Sequence, residues 1–400
     1  MTRVLVIGGG IAGTTTALAL HKAGFGVSVH EAHPDSAEDI GAFLTLASNG
    51  MRALAQIDAS TAVTDAGFPL TSMRVLDGTG SEIANRPLGE SGNPLLRYRC
   101  LRRGELNTAL QAEAVRRGIT IRHGTPLASV QHGPEHVTAH FADGSTTTGD
   151  LLIGADGLNS TVRRTIAPAT QPRYAGEYVF YGYTTPASPA EDTDHERITM
   201  VRGSTAAFGY TVSPNGQTYW FARVAGDPLS ADTIAHGTPG QWRDLLLPLL
   251  RDDATPAAGI VEATDNILVT NATEIPTGTP WHSGRTLVIG DAAHAASPAT
   301  GQGASMAMED AVILAKALRD APDTDTALSL YETLRRPRVE HNTHISGNIS
   351  RGAHTPSPTG RPPAAQPGND EPTRQLEWNS PLTTPHPDTA HPGGGSWTDR

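Results

Sequence analysis

Three glycine- and aspartate-bearing segments carry residue types that can hold a phosphate-linked cofactor. The first is Gly8-Gly9-Gly10-Ile11-Ala12-Gly13, a G-x-G-x-x-G run. In such a run the first glycine permits a tight turn, the second lets backbone approach a pyrophosphate, and the third lets a helix pack closely on a strand. The helix that follows offers free N–H groups and a partial positive charge to the phosphates. Glu31 follows at about the 20-residue offset expected of an acid that hydrogen-bonds an unphosphorylated ribose, which suits NAD or FAD. The second segment, Asp156-Gly157 with Ser160 and Arg163 behind it, reads equally well as a strand ending in an ordinary turn. The third is more specific: Gly290-Asp291-Ala292-Ala293-His294, then Pro298-Ala299-Thr300-Gly301-Gln302-Gly303-Ala304. It delivers Asp291 where a chain of sugar-like hydroxyls would need an acceptor. Its glycine loop opens a helix whose first amides can face an anion.

These segments need strands and helices to position them. Val4, Leu5, Val6 and Ile7 form an apolar run with the pattern of a buried parallel strand, and 14–23 reads as a helix of small residues. A second strand at 26–31 completes a βαβ beginning. Helices are expected at 49–56 and 105–117, and strands at 119–122, 137–141 and 150–155, with a turn at Asp143-Gly144. Between 172 and 224 the texture changes to aromatic and alternating, at 178–183, 198–202, 206–212 and 219–224. These read as antiparallel strands of a separate sheet, with a hairpin turn at Pro214-Asn215-Gly216. The first texture returns at 286–289, followed by helices at 302–318 and 325–344.

The expected fold is therefore α/β: a Rossmann-type dinucleotide-binding domain, an inserted, mainly antiparallel sheet, and a C-terminal helix. The expected divisions are 1–171 for the first part of the cofactor domain (with substrate-domain segments around 68–100), 172–280 for the substrate sheet, and 281–350 for the second part of the cofactor domain and the helix. Residues 351–400 are rich in Pro, Thr and Gly and nearly lack aliphatic side chains. They are expected to be a disordered tail whose removal costs little.

Composition narrows the function. The 400-residue chain carries 30 Lys and Arg against 41 Asp and Glu, a formal charge of −11. The basic residues do not cluster, which argues against a nucleic-acid partner. No apolar stretch approaches the roughly 20 residues that span a bilayer, so a cytoplasmic location is expected and no membrane partner. The single cysteine, Cys100, excludes an internal disulfide and reads as an inert thiol near the surface. The histidines show no metal-ligand spacing, and no metal is expected.

Taken together, the three fingerprints make the chain resemble the group A FAD-dependent aromatic hydroxylases, the family similar to para-hydroxybenzoate hydroxylase. The likeness runs from Met1 to about Ser350, with supporting matches at Gly41-Ala42-Phe43-Leu44, Arg103-Gly104-Glu105-Leu106 and Arg335-Arg336-Pro337-Arg338. The resemblance implies a tightly held, non-covalent FAD. Gly8, Gly10, Ile11, Ala12 and Gly13 would meet its pyrophosphate, Glu31 and Ala32 the adenosine ribose, and Leu127 the adenine. Arg103 would reach the phosphate or ribityl region, and Asp156 and Gly157 would serve both FAD and the transient nicotinamide. Asp291 would bind the ribityl end, and Gly301, Gln302, Gly303 and Ala304 the flavin pyrimidine edge. A basic residue usual after the ribose acid is replaced here by Ala32-His33. The activity implied is that of a single-component monooxygenase. NADPH or NADH would reduce the flavin, and O2 would give a C4a-hydroperoxyflavin that hydroxylates or epoxidises a small aromatic or phenolic substrate. Pro298 would sit over the ring where that oxygen species forms.

Substrate residues are less marked. Tyr181 and Tyr183 share one strand face, Tyr219, Phe221 and Arg223 share another, and Tyr210 is a further candidate. His294 reads as structural, and no residue stands out as a base. A flavin dehydrogenase or oxidase on the same scaffold, or a non-catalytic redox sensor, stays open. A halogenase is disfavoured because Trp220 and Trp281 lie outside the W-x-W-x-I-P context. Monomer and homodimer are both open. Richness in Ala, Thr, Pro and Arg suits a high-GC bacterial source, where such enzymes tailor polyketides and other aromatic antibiotics.

Overall fold

A computed structural model describes residues 1–36, 42–90, 92–185, 195–352 and 371–382. The Gly41 match and the tail stretches 353–370 and 383–400 lie outside the described residues. The apolar run near the N-terminus becomes the strand Arg3–Ile7, whose Val4, Leu5, Val6 and Ile7 are all buried. It lies within a six-stranded sheet ordered His282–Ser283, Thr286–Val288, Leu151–Gly154, Arg3–Ile7, Gly26–His30, Thr120–Arg122. Pairing is parallel except at the His282–Ser283 edge. Parallel neighbours require crossovers, and the Ile11–Lys22 helix supplies the first. The helices Arg103–Arg116 and Gly303–Asp320 pack against it. Residues far apart in sequence thus meet at the carboxyl ends of these strands, where open parallel sheets bind ligands.

The second sheet has seven strands, ordered Ile267–Glu274, Arg173–Thr184, Thr218–Ala225, Ala207–Val212, Arg197–Arg202, Ser72–Asp77, Glu82–Pro87. It is antiparallel except where Arg197–Arg202 runs parallel to Ser72–Asp77. Gly216, at φ 82°, makes the tight hairpin expected there. A small three-stranded sheet, Phe43–Leu46, Tyr98–Arg102 and Phe68–Leu70, stands between the two large ones. The last long helix runs Thr324–Ser350, six residues further than its sequence pattern suggests, and contains Pro337.

The tail requires a correction. Residues Glu371–Leu376 form a further helix, and Leu376 is buried. Trp378 and Leu382 pack on the main core, with the Lys22 ammonium 5.1 Å and the Arg319 guanidinium 4.9 Å from the Trp378 ring. Lys316, fully buried in the Gly303–Asp320 helix, donates to the carbonyls of Gln375 (2.5 Å) and Glu377 (2.6 Å). Burial lowers its ammonium to about 8. This short segment is an ordered strap, because two or three well-placed apolar side chains and an otherwise unpaired buried amine suffice to dock it. Cys100 is also corrected: it is fully buried beside Phe43, Phe68 and Tyr219, and burial raises its thiol well above the ordinary value. Among the described residues no helix is long and apolar enough to cross a membrane.

Candidate active site

The first glycine run forms a cradle. A Cβ on Gly8, at φ 101°, would fall 2.4 Å from the Ala155 carbonyl oxygen, and one on Gly13 would fall 1.9 Å from that of Gly8. Both must be glycine for strand, turn and helix to close up. Gly10 differs, since a Cβ there would meet nothing within 4 Å. Its open side lies at the amino end of the Ile11–Lys22 helix, which has no side-chain cap, so its first amides are left for an anion. Glu31 accepts from the Gly9 N–H (2.5 Å) and the His33 N–H (2.7 Å), leaving lone pairs on both oxygens for hydroxyl donors. Glu31 and Ala32, with Ile7, Gly8, His30, Leu127, Asp156, Asn159 and Thr161, line a cavity of about 170 Å³. His30 is almost wholly buried, stacks on Phe141 at 4.5 Å, and is lowered to about 4 by burial and by Arg122.

Asp156 does two things. It borders that cavity, and its carboxylate accepts from the Ser160 hydroxyl (2.5 Å) and the Thr161 N–H (2.7 Å), which caps the Thr161–Ile166 helix. Arg163 is buried and donates to the Leu158 carbonyl (2.6 Å) and the Ala292 carbonyl (2.9 Å). The second and third fingerprints are thereby tied together. Asp291 opens the Asp291–His294 helix, and its carboxylate is half-exposed 4.0 Å from the half-exposed Arg103 guanidinium. Gly301, at φ 65°, turns the chain into the Gly303–Asp320 helix.

Under this loop lies a charged cluster that the sequence reading did not assemble. Arg335 donates to Asp310 (2.8 Å) and Glu309 (2.6 Å), all three being buried. His294 meets Asp310 at 2.5 Å, which accounts for its structural role, and Asn49 donates to both Glu309 and Gln302. Burial would raise Asp310, yet the His294 and Arg335 charges win and hold it down at about 2. The twin arginines at 335 and 336 were visible only as part of a family match.

The aromatic residues converge as well. Tyr181 pairs with Phe221 and Tyr183 with Tyr219 across neighbouring strands, so the two expected faces are one face of one sheet. Phe43, from the small sheet, approaches all four rings, at centroid distances between 5.6 and 6.3 Å. Gly209 leaves room for Phe221, whose ring lies 2.5 Å from where a Cβ would sit. Tyr210 does not join them. Its register partner is Trp220, which places it on the opposite face, in the core with Phe208 and Trp220. Arg102, absent from the sequence reading, lays its guanidinium 4.5 Å above the Tyr183 ring and donates to Gln217 (2.9 Å). It ends the strand Tyr98–Arg102 and is the N-cap of the Arg103–Arg116 helix, whose first residue, Arg103, lies 4.0 Å from Asp291. The cage abuts the flavin loop through the strand Phe43–Leu46: a Cβ on Gly301 would lie 3.2 Å from the Thr45 hydroxyl, and the Ala47 N–H donates to Ser305 (3.1 Å).

Residues 1–346 match the family described as FAD binding domain. The chain is 31% identical to the aurachin C monooxygenase/isomerase of Stigmatella aurantiaca, over 87% of this chain and 88% of that protein. It is 32% identical to the 2-heptyl-3-hydroxy-4(1H)-quinolone synthase of Pseudomonas aeruginosa, over 89% and 90%. Among solved structures it resembles Klebsiella pneumoniae HpxO complexed with FAD and uric acid, with a TM-score of 0.78 and 26% identity over 89% of this chain and 90% of that one. The chain belongs to the FAD-binding group A flavoprotein monooxygenases. FAD is the cofactor of this class, and the open side of Gly10 at an uncapped helix N-terminus and the Glu31 carboxylate bordering the adjoining cavity fit it.

Proposed function

We propose that the protein is a single-component hydroxylase that uses NADPH or NADH and O2 on a planar, electron-rich aromatic small molecule. The observation carrying this reading is the cage of Phe43, Tyr181, Tyr183, Tyr219 and Phe221 set against the loop that follows Pro298. Bound FAD supplies the redox and oxygen chemistry. The chain's own residues bind and orient. Gly8 and Gly13 let strand, turn and helix close up so that the open side of Gly10 and the first helix amides would hold the pyrophosphate, Glu31 would take the ribose hydroxyls, and Asp291 and Arg103 would take the ribityl and phosphate groups. The first amides of the Gly303–Asp320 helix would stabilise negative charge on a flavin ring held at its N-terminus. The rings of the cage hold a flat substrate and exclude water from the reacting face. The relative named for a quinolone and the neighbour holding uric acid support a ring of one or two fused cycles.

The test is NADPH and NADH oxidation by the yellow holoenzyme with a panel of hydroxylated mono- and bicyclic aromatics. Acceleration by one compound, with matching oxygen uptake and a product 16 mass units heavier, is the expected result. Cofactor oxidation that no aromatic compound changes would overturn the assignment.

A further inference from the structure

Two turns of the chain are built alike. In each, a polar residue precedes a proline that opens a single 3-10 turn: Asn93 before Pro94–Leu96, and Ser297 before Pro298–Thr300. In each, the polar side chain accepts from the amide two residues on, Asn93 from Leu95 (3.1 Å) and Ser297 from Ala299 (3.3 Å). The first turn then closes on itself, with the Leu96 amide donating to the Asn93 carbonyl at 2.9 Å. The second is closed through another part of the molecule. The Thr300 amide donates to the Ser346 hydroxyl (3.3 Å), and that hydroxyl donates to the Ser297 carbonyl (2.5 Å). One hydroxyl is thus inserted between the donor and the acceptor that a 3-10 turn joins directly.

Ser346 is fully buried in the Thr324–Ser350 helix. One helical turn further on, Ser350 is buried too. It donates to Glu177 (2.8 Å) and meets the Ser297 hydroxyl. Glu177 lies on the strand Arg173–Thr184, which carries Tyr181 and Tyr183, and stands 3.7 Å from Arg223 of the next strand. The turn is therefore located by the last helix and, through it, by the larger sheet. Its own backbone does not locate it. Directly behind it come Gly301, at φ 65°, and the amino end of the Gly303–Asp320 helix, which has no side-chain cap.

We infer that Ser346 is a positioning residue for the flavin: its hydroxyl holds the Pro298–Thr300 turn open and so sets where Pro298 and the first amides of the Gly303–Asp320 helix stand against the flavin ring. This rests on the reading of that loop as the flavin seat. Removing the hydroxyl need not orphan its partners, because the Thr300 amide and the Ser297 carbonyl can close on each other as their counterparts do at Pro94. The turn tightens, the loop shifts, and both groups stay paired. Stability should then hold while the surroundings of the flavin change. Amides moved away from the ring lose most against its reduced form, which carries the negative charge.

The experiment compares FAD-loaded wild-type protein with S346A, S346T and G301A by visible spectrum, midpoint potential and urea unfolding. In S346A the protein should hold reduced FAD, relative to oxidised FAD, about tenfold less tightly than the wild type does, which lowers the midpoint by about 30 mV for a two-electron couple. Its unfolding should change little. S346T keeps a hydroxyl at the same point of the helix and should bring the potential most of the way back. G301A strains the loop from within, at a position where a Cβ would approach Thr45 and not Ser346, and so reports independently whether the loop meets the flavin. A potential unchanged in S346A but moved in G301A overturns the role of Ser346 and leaves the flavin seat standing. A potential unchanged in both overturns that reading and this inference together. S346T displaced as far as S346A overturns the inference alone. If S346A is purified without flavin, S346T decides: a yellow protein of near wild-type potential upholds the role of the hydroxyl, and a colourless one overturns it.

Discussion

The six-stranded sheet presents backbone to its ligand, whereas the seven-stranded sheet presents side chains. At the first, three glycines and a helix end make the cradle, and a methyl group at Gly8 or Gly13 would collide with fixed carbonyl oxygens. At the second, four aromatic rings of the sheet, joined by Phe43 and Arg102 from the small sheet, form the proposed site on strands that would pair equally well with other side chains. Backbone recognition suits one unvarying cofactor, and side-chain recognition lets one scaffold accept many substrates. The two regions should therefore fail differently when altered.

The largest effect is expected at the glycines. Gly13→Ala puts a Cβ 1.9 Å from the Gly8 carbonyl oxygen, a clash the strand-turn-helix joint cannot relieve. It should abolish flavin content altogether and give a colourless or insoluble protein, read from the visible spectrum and thermal unfolding. Normal yellow protein would dissolve the contrast between the sheets. Arg335→Met comes next in its consequences for the loaded protein. It leaves Glu309 and Asp310 buried without their cation and should cost about 3–5 kcal/mol in urea unfolding. Its acid response sharpens the point. Asp310 is held below its unfolded value, so its contribution is complete above about pH 4 and is lost as pH falls toward 2. In the variant that loss should begin at higher pH.

Truncation after Gly352 removes the burial of Leu376 and the two carbonyl partners of Lys316, and should lower stability by about 2–3 kcal/mol. An unchanged melting temperature would mean the strap contributes nothing. The smallest structural effect belongs to the cage: Phe221→Leu should cost under about 1.5 kcal/mol and keep full flavin content while weakening aromatic binding several-fold. Loss of flavin in that variant would show the two regions to be less separable than their architecture suggests.

The same contrast governs what could be read from the sequence. A cradle made of backbone needs particular glycines at particular spacings, so Gly8, Gly10, Gly13, Gly290-Asp291 and Gly301 stood out. The substrate face needs only alternation, and alternation does not give register. Tyr181 with Tyr183, and Tyr219 with Phe221, were visible as pairs, but their meeting depends on Tyr181 pairing with Phe221 across strands. The same missing register put Tyr210 among the candidates, when its partner is Trp220 on the other side. A substrate-domain segment around 68–100 is expected from the sequence, but that its strands Ser72–Asp77 and Glu82–Pro87 dock beside Arg197–Arg202, over 100 residues downstream, is a pairing no local pattern spans. The strap escaped for a different reason. Averaged over fifty residues its composition resembles a disordered chain, yet Leu376, Trp378 and Leu382 find a groove beside an amine that needs carbonyls.

The short strand Phe43–Leu46 is common property of the two regions. Phe43 closes the cage, and Thr45, two residues on and on the same face, abuts Gly301 of the flavin loop. Descendants of this scaffold are therefore not equally free to drift at every wall of the substrate chamber. On the proposed function, change at Tyr181, Tyr183, Tyr219 or Phe221 should alter what is accepted, while change at Phe43 should also disturb the Thr45–Gly301 contact and be selected against twice. Diversification of substrate range should accordingly run through the larger sheet, and libraries built to redirect the enzyme will yield more working variants if that one wall is left alone.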